Sequence, residues 1–381
     1  MPEAVIVEAV RSPVGKRNGG LSGVHPAELS AQVLNALVGR AGIDPEIVDD
    51  VVWGCVMQAG EQALDIARTA VLSAGWPESV TGVTVDRQCG SGQQAIHFAA
   101  AGLVAGHYDV VVAGGVESMS RVPMGSTRIQ GMKPYPPAFK ERYGLYPNQG
   151  LGAEMIAQQW GLDRTALDEF SLGSHEKAAA AQDSGAFDDQ IVAITDQDGN
   201  PVLRDEGIRR GTPIEKMAQL KPAFKEDGVI HAGNSSQISD GSAALLMTTD
   251  EKAKSLGLKP IAKIHTAVLA GADPVIMLTA PIPATKKALA KSGLALSDIG
   301  VFEVNEAFAP VPIAWLRDIG ADEKTLNPNG GAIALGHPLG GSGARIMTTM
   351  IYHMRDKGIR YGLQTMCEGG GQANATIVEL L

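Results

Sequence analysis

Apolar and polar positions follow two similar series along the chain, and the second series starts about 250 residues after the first. Each series consists of an apolar strand pattern, a helical pattern, a polar turn and a second apolar strand. The first covers residues 4–10, 26–41 and 51–54, and the second covers 261–268, 284–292 and 301–305. Strands that alternate with helices in this order indicate βαβ units and mostly parallel sheets. The pattern therefore predicts an α/β fold with two duplicated halves.

Both series continue alike, with a glycine-rich run that opens a helix. The first half continues with a strand at 83–86, a Cys-Gly-Ser-Gly run at 89–92, a helix at 93–105 and a strand at 109–112 that ends at Gly114 and Gly115. The second half continues with residues 327–336, His337, a Gly-Gly-Ser-Gly run at 340–343, a helix to about Arg355 and a strand at 362–366 that ends at Cys367. The repeat thus places one cysteine and one histidine at equivalent positions.

Between the two series the chain changes character, with proline-, glycine- and tyrosine-rich stretches and scattered basic residues. A stretch of this length is too long for a plain connection, so we interpret it as an inserted subdomain that covers a site. Its helical parts are predicted at 153–160 and 166–182, and the chain returns to the first sheet at 243–248. The predicted division is a first half formed by 1–117 and 240–260, an insertion at 118–239 and a second half at 261–381.

Composition and charge narrow the class of protein. The chain has 381 residues, enough for two similar domains with a large buried core, and its 46 glycines indicate closely approaching backbones. A formal net charge of −10 argues against a nucleic-acid binder, which needs a strongly basic surface. The N-terminus lacks the basic region of a signal peptide, and no apolar run reaches membrane-spanning length. We therefore expect a cytoplasmic protein without a membrane partner.

The chain contains three cysteines, Cys55, Cys89 and Cys367, which are too widely separated for a disulfide framework or a zinc site. In a reducing compartment such thiols are buried packing groups or nucleophiles. Cys89 lies where the helix at 93–105 begins, and the free backbone N–H groups and the dipole of a helix start favour an anion. This position favours the reactive thiolate, whereas most isolated cysteines are inert packing groups.

His337 occupies the equivalent place in the second half, at the predicted end of a strand and just before Pro338. Proline holds the residue before it in an extended conformation, which would fix the direction of the imidazole. The other histidines lack a repeat-related partner, and we interpret them as structural or surface residues. They are His25, His97, His107, His175, His231, His265 and His353.

Two further polar residues are predicted at strand ends. Cys367 precedes three glycines, whose backbone N–H groups could form an anion-binding hollow, and Asn305 precedes Glu306. Ligands of open α/β sheets bind beyond the carboxyl ends of the strands, so we expect both residues near Cys89 and His337. Taken alone, Cys367 would equally fit a packing role and Asn305 a turn.

Four runs together resemble the catalytic signatures of the thiolase family, in the family's order and across nearly the whole chain. They are Cys-Gly-Ser-Gly at 89–92, Asn-Glu-Ala-Phe-Ala at 305–309, Gly-Gly-Ala-Ile-Ala-Leu-Gly-His-Pro at 330–338 and Cys-Glu-Gly-Gly-Gly at 367–371. The resemblance implies a five-layered α-β-α-β-α core made of the two halves. It also implies an acyl-CoA:acetyl-CoA C-acyltransferase, which makes or cleaves the carbon–carbon bond of a 3-ketoacyl-CoA.

By this resemblance Cys89 is the nucleophile that carries the acyl group, and His337 accepts its proton. Cys367 then acts as general acid or base at the α carbon of acetyl-CoA. One oxyanion site would be formed by the backbone N–H groups of Cys89 and Gly369, and the other by His337 with a water held by Asn305. CoA enters as a substrate, and the resemblance implies no metal and no other cofactor.

The resemblance also assigns the insertion to CoA binding. Ser236 matches the serine that contacts pantetheine in the family, and Ala307 and Phe308 are expected to line the pantetheine tunnel. Arg209 matches a basic residue near the adenine and phosphates, with a solvated surface charge as the alternative. Gln149, also counted as a CoA contact, lies in an Asn-Gln-Gly run where acetoacetyl-CoA thiolases carry His-Met-Gly. This departure favours a degradative 3-ketoacyl-CoA thiolase, similar to actinobacterial enzymes of fatty-acid and steroid breakdown.

Several alternatives stay open. An acetoacetyl-CoA-specific acetyltransferase differs only in substrate, while a ketosynthase would carry a histidine at Asn305 and no thiol at Cys367. A hydroxymethylglutaryl-type synthase would need a general-base glutamate, for which the sequence offers no position. A catalytically silent scaffold or CoA-binding subunit would be expected to lack Cys89, His337 or Cys367. Glu368 is a second departure, because small or apolar residues are commoner there, and the sequence does not explain it.

Partners beyond CoA and acyl-CoA substrates follow only from the resemblance. The family usually forms dimers or tetramers, so we expect a homodimer or homotetramer, and the segment 121–146 is a candidate contact. Association with a hydratase/dehydrogenase subunit in a β-oxidation complex is compatible with the sequence. The direction of the reaction and the preferred acyl chain are open at this point.

Overall fold

The structure, a computed structural model, describes residues 2–381 of the chain. Its strands are β1 (Ala4–Arg11), β2 (Gly15–Lys16), β3 (Asp50–Gly54), β4 (Thr81–Val85), β5 (Val110–Ser118), β6 (Ile194–Thr195), β7 (Pro201–Val202), β8 (Ser239–Thr249), β9 (Ala262–Gly271), β10 (Val301–Val304), β11 (Tyr361–Glu368) and β12 (Gln372–Leu380). Its α-helices are α1 (Pro26–Ala41), α2 (Ile66–Ser73), α3 (Ser91–Ala105), α4 (Pro137–Tyr143), α5 (Gln149–Gln159), α6 (Arg164–Asp183), α7 (Ile214–Ala218), α8 (Asp250–Ser255), α9 (Pro281–Ser292), α10 (Pro310–Ile319), α11 (Ala332–Leu335) and α12 (Leu339–Lys357).

The predicted internal repeat is visible in the order of the elements. The elements β1, α1, β3, α3, β5 and β8 of the first half correspond to β9, α9, β10, α12, β11 and β12 of the second. One element is reduced in the second half, where an isolated parallel bridge between Phe302 and Leu326 takes the place of β4. The duplicated α/β architecture is therefore confirmed.

Strand pairing runs through both halves in one order, β10-β11-β12-β9-β1-β8-β5-β3-β4, and β2 pairs with β8. The halves meet at β1 and β9 through the pairs Val5–Lys263 and Ile6–Ala262. The expectation of mostly parallel sheets is wrong, because β8 and β12 each run antiparallel to all of their neighbours. Neither strand is reached through a helical crossover: β12 follows a hairpin turn, and β8 follows the long segment after β5.

Layers of helices and strands alternate through the molecule. On β5, Val110 and Val112 face a core shared with α1 and α2, while Val111 and Ala113 face a second core shared with α3 and α12. The helices α3 and α12 pack against each other between the two halves. On the far side, α9 and α10 cover the second-half strands, where Trp315 packs in the core. This arrangement is the five-layered α-β-α-β-α core that the resemblance implied.

The predicted end of β5 at two glycines is wrong, because the strand continues through Gly114 and Gly115 to Ser118. A methyl group added at Gly115 would lie 2.1 Å from the carbonyl oxygen of Gly340, at the start of α12. A glycine is needed at this position because the backbone of Gly340 lies close to it, and not because the chain turns there. The contact brings the end of β5 directly beneath the first turn of α12.

His337 was predicted at the end of a strand, and this is wrong. It follows the one-turn helix α11. The backbone N–H groups at the start of a helix need acceptors, and side chains supply them here. The hydroxyl oxygen of Ser174 accepts from Gly331 N at 3.0 Å, and Glu306 Oε2 accepts from Ile333 N at 3.2 Å. These contacts stabilise helical backbone in an apolar run that by itself resembles a buried strand.

Other elements differ mainly in their limits. The predicted helices of the inserted segment are longer, as α5 and α6, and the returning strand is longer, as β8. Several elements were not predicted, and the three longest of them are α2, α10 and β12. Within residues 2–381 no helix has both the length and the apolar character needed to cross a membrane.

Candidate active site

The starts of α3 and α12 meet through glycine contacts, and these contacts bring the Cys89 and His337 turns together. A methyl group added at Gly92 would lie 2.7 Å from the Gly340 carbonyl oxygen, and one added at Gly343 would lie 2.1 Å from the amide nitrogen of Gln93. Any larger side chain would separate the two helix starts. The two glycine-rich runs therefore have a packing function.

A buried carboxyl group, Glu117, ties the loop after β3 to the start of α12. It accepts hydrogen bonds from Val56 N and Met57 N at 3.0 Å each, from Gln62 Nε2 at 2.7 Å and from Gly340 N at 2.8 Å. Burial raises the pKa of Glu117, while these donors act in the opposite direction. Glu117 was not predicted as a site residue, although a glutamate at the end of an apolar strand was a usable signal.

His337 is held as a neutral base. Its Nδ1 lies 2.6 Å from the hydroxyl oxygen of Ser342, and that hydroxyl donates to the Pro338 carbonyl oxygen at 2.8 Å. The serine proton is thus occupied, so Nδ1 carries the imidazole proton and Nε2 is left as the acceptor. The side-chain nitrogen of Asn305 lies 3.4 Å from Nε2. Burial, with a smaller contribution from Arg345, lowers the pKa of His337 to about 3.

Cys89 is 5% exposed and packs in an apolar cluster with Leu339 and Met366. Burial, with the charge of an ionised Glu368 as the second cause, raises the pKa of its thiol to about 12. The thiolate predicted from the helix start is therefore wrong for the resting site, because the loss of hydration outweighs the helix dipole here. The Cys89 thiol is therefore protonated at rest and needs a base before it can attack.

Cys367 and Asn305 lie at the carboxyl ends of the neighbouring parallel strands β11 and β10. Burial is the main cause of a raised pKa of the Cys367 thiol, followed by the charge of Cys89, while a hydrogen bond from Asn305 lowers it. The side-chain oxygen of Asn305 has no partner within residues 2–381. The structure thus brings Cys89, Cys367, Asn305 and His337 to one place, as the sequence predicted.

Gly369 lies beside the Cys89 turn. A methyl group added at Gly369 would be 3.0 Å from the side-chain oxygen of Gln88, the residue before Cys89. Gln88 has a φ of 48°, a left-handed conformation that costs a non-glycine residue about 1 kcal/mol. Among residues 2–381, the amides of Cys89 and Gly369 donate to no other residue. Two free N–H groups next to the thiol can stabilise an oxyanion.

A cavity of about 550 Å³ is lined by two of the predicted CoA-binding residues, Ser236 and Arg209. Lys16 and Arg17, which were not predicted from the sequence, also line it. Their only signal was a pair of adjacent cations directly after the first predicted strand and loop. The cavity wall therefore carries three cationic side chains from two distant parts of the chain.

The other three predicted CoA contacts, Ala307, Phe308 and Gln149, are not among the residues that line this cavity. The amide of Ser236 donates to the Ala307 carbonyl oxygen at 2.9 Å, and Ala307 and Phe308 belong to the same buried apolar cluster as Cys367. These two residues therefore connect the cavity wall to the thiol. Gln149 begins α5 and is not among the residues that line the cavity.

Comparison with known proteins identifies the family. The thiolase N-terminal domain model matches residues 4–251, and the thiolase C-terminal domain model matches residues 258–380. Steroid 3-ketoacyl-CoA thiolase FadA6 of Mycobacterium tuberculosis is 50% identical, over 100% of this chain and 95% of that protein. A 3-ketoacyl-CoA thiolase of Escherichia coli is 44% identical over 100% of both chains. The crystal structure of the Bacillus anthracis acetyl-CoA acetyltransferase is 41% identical, with a TM-score of 0.92, covering 100% of this chain and 99% of that one.

The duplicated five-layered fold and the site between its halves define an acyltransferase of the thiolase type. With both domain models matched, the chain belongs to the thiolase family. The predictions of family, fold and enzyme class are confirmed. The predicted likeness to degradative actinobacterial members is confirmed by the 50% identity to the mycobacterial enzyme.

Proposed function

We propose that the chain cleaves a 3-ketoacyl-CoA with CoA, giving acetyl-CoA and a shortened acyl-CoA through an acyl intermediate on Cys89. The observation that carries this proposal is the neutral His337, whose unprotonated Nε2 faces Asn305 in a site that also contains two buried thiols. The full-length relatives named 3-ketoacyl-CoA thiolases support the activity. The reaction is reversible and in the other direction is a Claisen condensation.

In the proposed cleavage, Nε2 of His337 takes the proton of Cys89, and the thiolate attacks the 3-keto carbonyl carbon. The bond between the α and β carbons breaks, leaving an acyl group on Cys89 and a carbanion of acetyl-CoA. Cys367 donates its thiol proton to that carbanion. The thiol of the CoA substrate then gives its proton to the Cys367 thiolate and attacks the acyl thioester. The shortened acyl-CoA forms, and His337 returns its proton to the departing Cys89 thiolate.

The donors of the site match the places where negative charge develops. The free amides of Cys89 and Gly369 would hold the oxygen of the acyl group during attack. Asn305 and His337 would hold the thioester oxygen of the acetyl-CoA part, either directly or through a water on the unpartnered Asn305 oxygen. CoA takes part as a substrate, and no step needs a metal or another cofactor.

The cavity that contains Ser236 is the proposed CoA site. Lys16, Arg17 and Arg209 supply positive charge to its wall, which suits the phosphates of CoA. Ala307 and Phe308 would accompany the pantetheine arm toward Cys367, since Ser236 and Ala307 are directly hydrogen-bonded. Gln149 is proposed to act from the covering segment, on the acyl side rather than at the phosphates.

We further propose a bulky acyl group, of the steroid-derived class, as the preferred substrate. The 50% identical relative carries the name of a steroid 3-ketoacyl-CoA thiolase, and Gln149 departs from the pattern of acetoacetyl-CoA enzymes. The second candidate is an acetyl-CoA acetyltransferase, which the TM-score of 0.92 to the Bacillus anthracis enzyme favours. The two candidates share the catalytic groups and differ in the acyl pocket.

Assembly, location and domain limits are also proposals. Exposed large apolar side chains lie beside the edge strand β4 and in the segment 121–146, and such patches are typical of protein contacts. They are Leu64, Leu72 and Val83 near β4, and Met124, Ile129 and Met132 in the segment. We propose a homo-oligomer that uses the β4 edge, with 121–146 as a second contact or the site of a β-oxidation partner.

Three free thiols favour a reducing compartment such as the cytoplasm. The pairing of β8 with β1 supports the proposed domain limits, in which the chain returns to the first half after the insertion.

The experiment measures the CoA-dependent loss of enolate absorbance for acetoacetyl-CoA, for a long straight-chain 3-ketoacyl-CoA and for a steroid-ring 3-ketoacyl-CoA. We expect turnover of the bulky substrate by the wild type and none by Cys89→Ala. Efficient turnover of acetoacetyl-CoA alone would move the assignment to an acetyltransferase. If CoA bound but no substrate reacted, the chain would instead be a silent CoA-binding subunit.

A further inference from the structure

Glu368 lies directly beneath the turn that carries Cys89. It is the last residue of β11, and its side chain is completely buried. Its Oε1 atom lies 2.0 Å from the position that a methyl group at Gly90 would occupy, and Oδ1 of Asn374 lies 2.3 Å from the same position. The absence of a side chain at Gly90 therefore makes room for a carboxyl group and an amide oxygen beside the nucleophile.

The carboxyl group is poorly provided with hydrogen-bond donors. Oε1 accepts from Asn374 N at 3.0 Å, whereas Oε2 has no partner within residues 2–381. Oδ1 of Asn374 has no partner either. The side-chain nitrogen of Asn374 donates to Gln94 Oε1 at 3.0 Å. Buried acceptors without a donor are costly, and a proton on the Glu368 carboxyl would turn one of its oxygens into a donor in a place where Asn374 Oδ1 lacks one.

We propose that Glu368 is a positioning residue that stays uncharged at rest, supports the Gly90 turn through Asn374, and by its neutrality permits the Cys89 thiolate to form. This inference rests on the proposed role of Cys89 as the nucleophile. Glu368 does not touch the reacting atoms, and it acts through the turn and through its charge. The role explains the glutamate at a position where the sequence offered no reason for one.

The groups around Glu368 support an uncharged form. Titratable side chains face this region from the β4–α3 turn, from α3, from β5 and from β11. They are Asp86, Arg87, Cys89, His97, Glu117 and Cys367. Arg87 supplies the positive charge that acts on Glu368, but its guanidinium donates to Gln372 Oε1 at 2.9 Å instead. Burial raises the pKa of Glu368 to about 8, with Arg87 and the Asn374 amide opposing it.

Rising pH therefore acts on Cys89 in two opposed ways. It removes the thiol proton directly, and above about pH 8 it also creates a carboxylate that disfavours a second negative charge at the same turn. Below about pH 8 only the first effect operates. The reactivity of Cys89 should rise steadily with pH up to that point and then rise more slowly while Glu368 ionises.

The test measures the rate at which iodoacetamide alkylates Cys89 between pH 6 and pH 10, with the modified residue identified by peptide mass spectrometry. The proteins are the wild type, Glu368→Gln, Glu368→Leu and, as a control, Glu379→Gln, which removes a carboxylate from the other end of the same hairpin. Glutamine keeps a donor for Asn374 Oδ1, and leucine provides a second uncharged side chain. Circular dichroism establishes that each variant is folded.

We expect the logarithm of the wild-type rate to rise with a slope near one below pH 8, to flatten while Glu368 ionises between about pH 8 and pH 9, and then to resume that slope. Both uncharged variants should keep the steeper slope and react about tenfold faster than the wild type near pH 9.5, the effect of one pKa unit. Glu379→Gln should follow the wild type. Profiles that run parallel to the wild type in whichever uncharged variant folds would overturn the inference. Because alkylation needs no turnover, an inactive wild type that still flattens would refute the proposed function alone.

Discussion

The imidazole Nδ1 of His337 and the hydroxyl oxygen of Ser342 lie 2.6 Å apart, and this contact fixes which nitrogen of the histidine acts as the base. The hydroxyl is itself held by the Pro338 carbonyl oxygen, four residues before it in the first turn of α12. A neutral histidine is usually oriented by a carboxylate or a carbonyl oxygen. Here the Ser342 hydroxyl lies between the imidazole and the Pro338 carbonyl oxygen and bonds to both. This arrangement orients the imidazole without adding negative charge beside it, and burial keeps the ring neutral.

Replacing the serine should impair the base without removing it. In Ser342→Ala the imidazole can rotate or adopt the other tautomer, so we expect kcat to fall about 10- to 100-fold, the range seen when an orienting partner of a histidine is lost. KM for CoA should change little, since Ser342 is not among the residues that line the CoA cavity. Steady-state thiolysis of a 3-ketoacyl-CoA gives both constants.

Thr348→Val is a matched control for the serine variant. Thr348 is also buried in α12, and within residues 2–381 its hydroxyl bonds only to the Ala344 carbonyl oxygen, one turn earlier. Loss of this one hydrogen bond should reduce stability and not catalysis. The variant should therefore keep kcat within about threefold of the wild type. Equal losses in the two variants would mean that Ser342 is merely structural.

The two thiols should separate into two steps. In Cys367→Ala, Cys89 and His337 are intact, so incubation with acetyl-CoA should still acetylate Cys89, which intact-protein mass spectrometry detects. Complete turnover should fall at least about 10³-fold, because no group protonates or deprotonates the α carbon. Cys55→Ala removes the third buried thiol and should retain most of the activity. Failure of Cys367→Ala to become acetylated would contradict the separate roles.

Much of the fold was accessible from the sequence because local patterns and packing agree. The helix at 26–41 was predicted with its observed limits, since a proline begins it and Gly42, with a φ of 67°, ends it. Strand β12 was missed because the three glycines before it were interpreted as an anion-binding hollow. In the structure Gly370 and Gly371 have φ values of 86° and 77° and form the hairpin turn that returns the chain.

The site was predicted as a set of residues but not as an electrostatic environment. Order along the chain and strand-end positions were enough to group Cys89, His337 and Cys367. The depth of burial depends on how two halves, separated by some 250 residues, close over each other, and no local pattern contains it. For the same reason Glu117, which bonds to Gly340 from 223 positions away, was not found.

The glycine contacts between α3 and α12 should be sensitive to a single methyl group. In Gly343→Ala the added methyl would meet the Gln93 backbone, so we expect a loss of about 1–3 kcal/mol in the free energy of unfolding and a larger fractional loss of kcat. Gly39→Ala, in the exposed part of α1 with nothing within 4 Å of the new methyl, should instead stabilise by about 0.5–1 kcal/mol. Urea unfolding of both variants gives the comparison, and equal effects would show that the helix starts can separate freely.

Buried neutral histidines should make the fold sensitive to acid. Burial lowers the pKa of His97 to about 3, from 6.5 in an unfolded chain. Between these values the unfolded chain binds a proton that the folded protein does not, so stability falls as pH falls. The contribution of neutral His97 is complete above pH 6.5 and is lost between pH 6.5 and about 3. His337, also lowered to about 3, adds a second proton over the same interval.

Replacing His97 should reduce this acid sensitivity by one proton. His97→Gln keeps a polar side chain opposite Thr376, whose hydroxyl lies 2.7 Å from Nε2 of the histidine. We expect the free energy of unfolding, measured in urea between pH 6 and pH 4.5, to fall less steeply than in the wild type, by up to about 1.4 kcal/mol per pH unit. His107→Gln, at an exposed histidine after α3, should leave the wild-type slope unchanged. An identical slope in His97→Gln would mean that His97 already binds a proton in the folded protein, and that its burial does not hold it neutral.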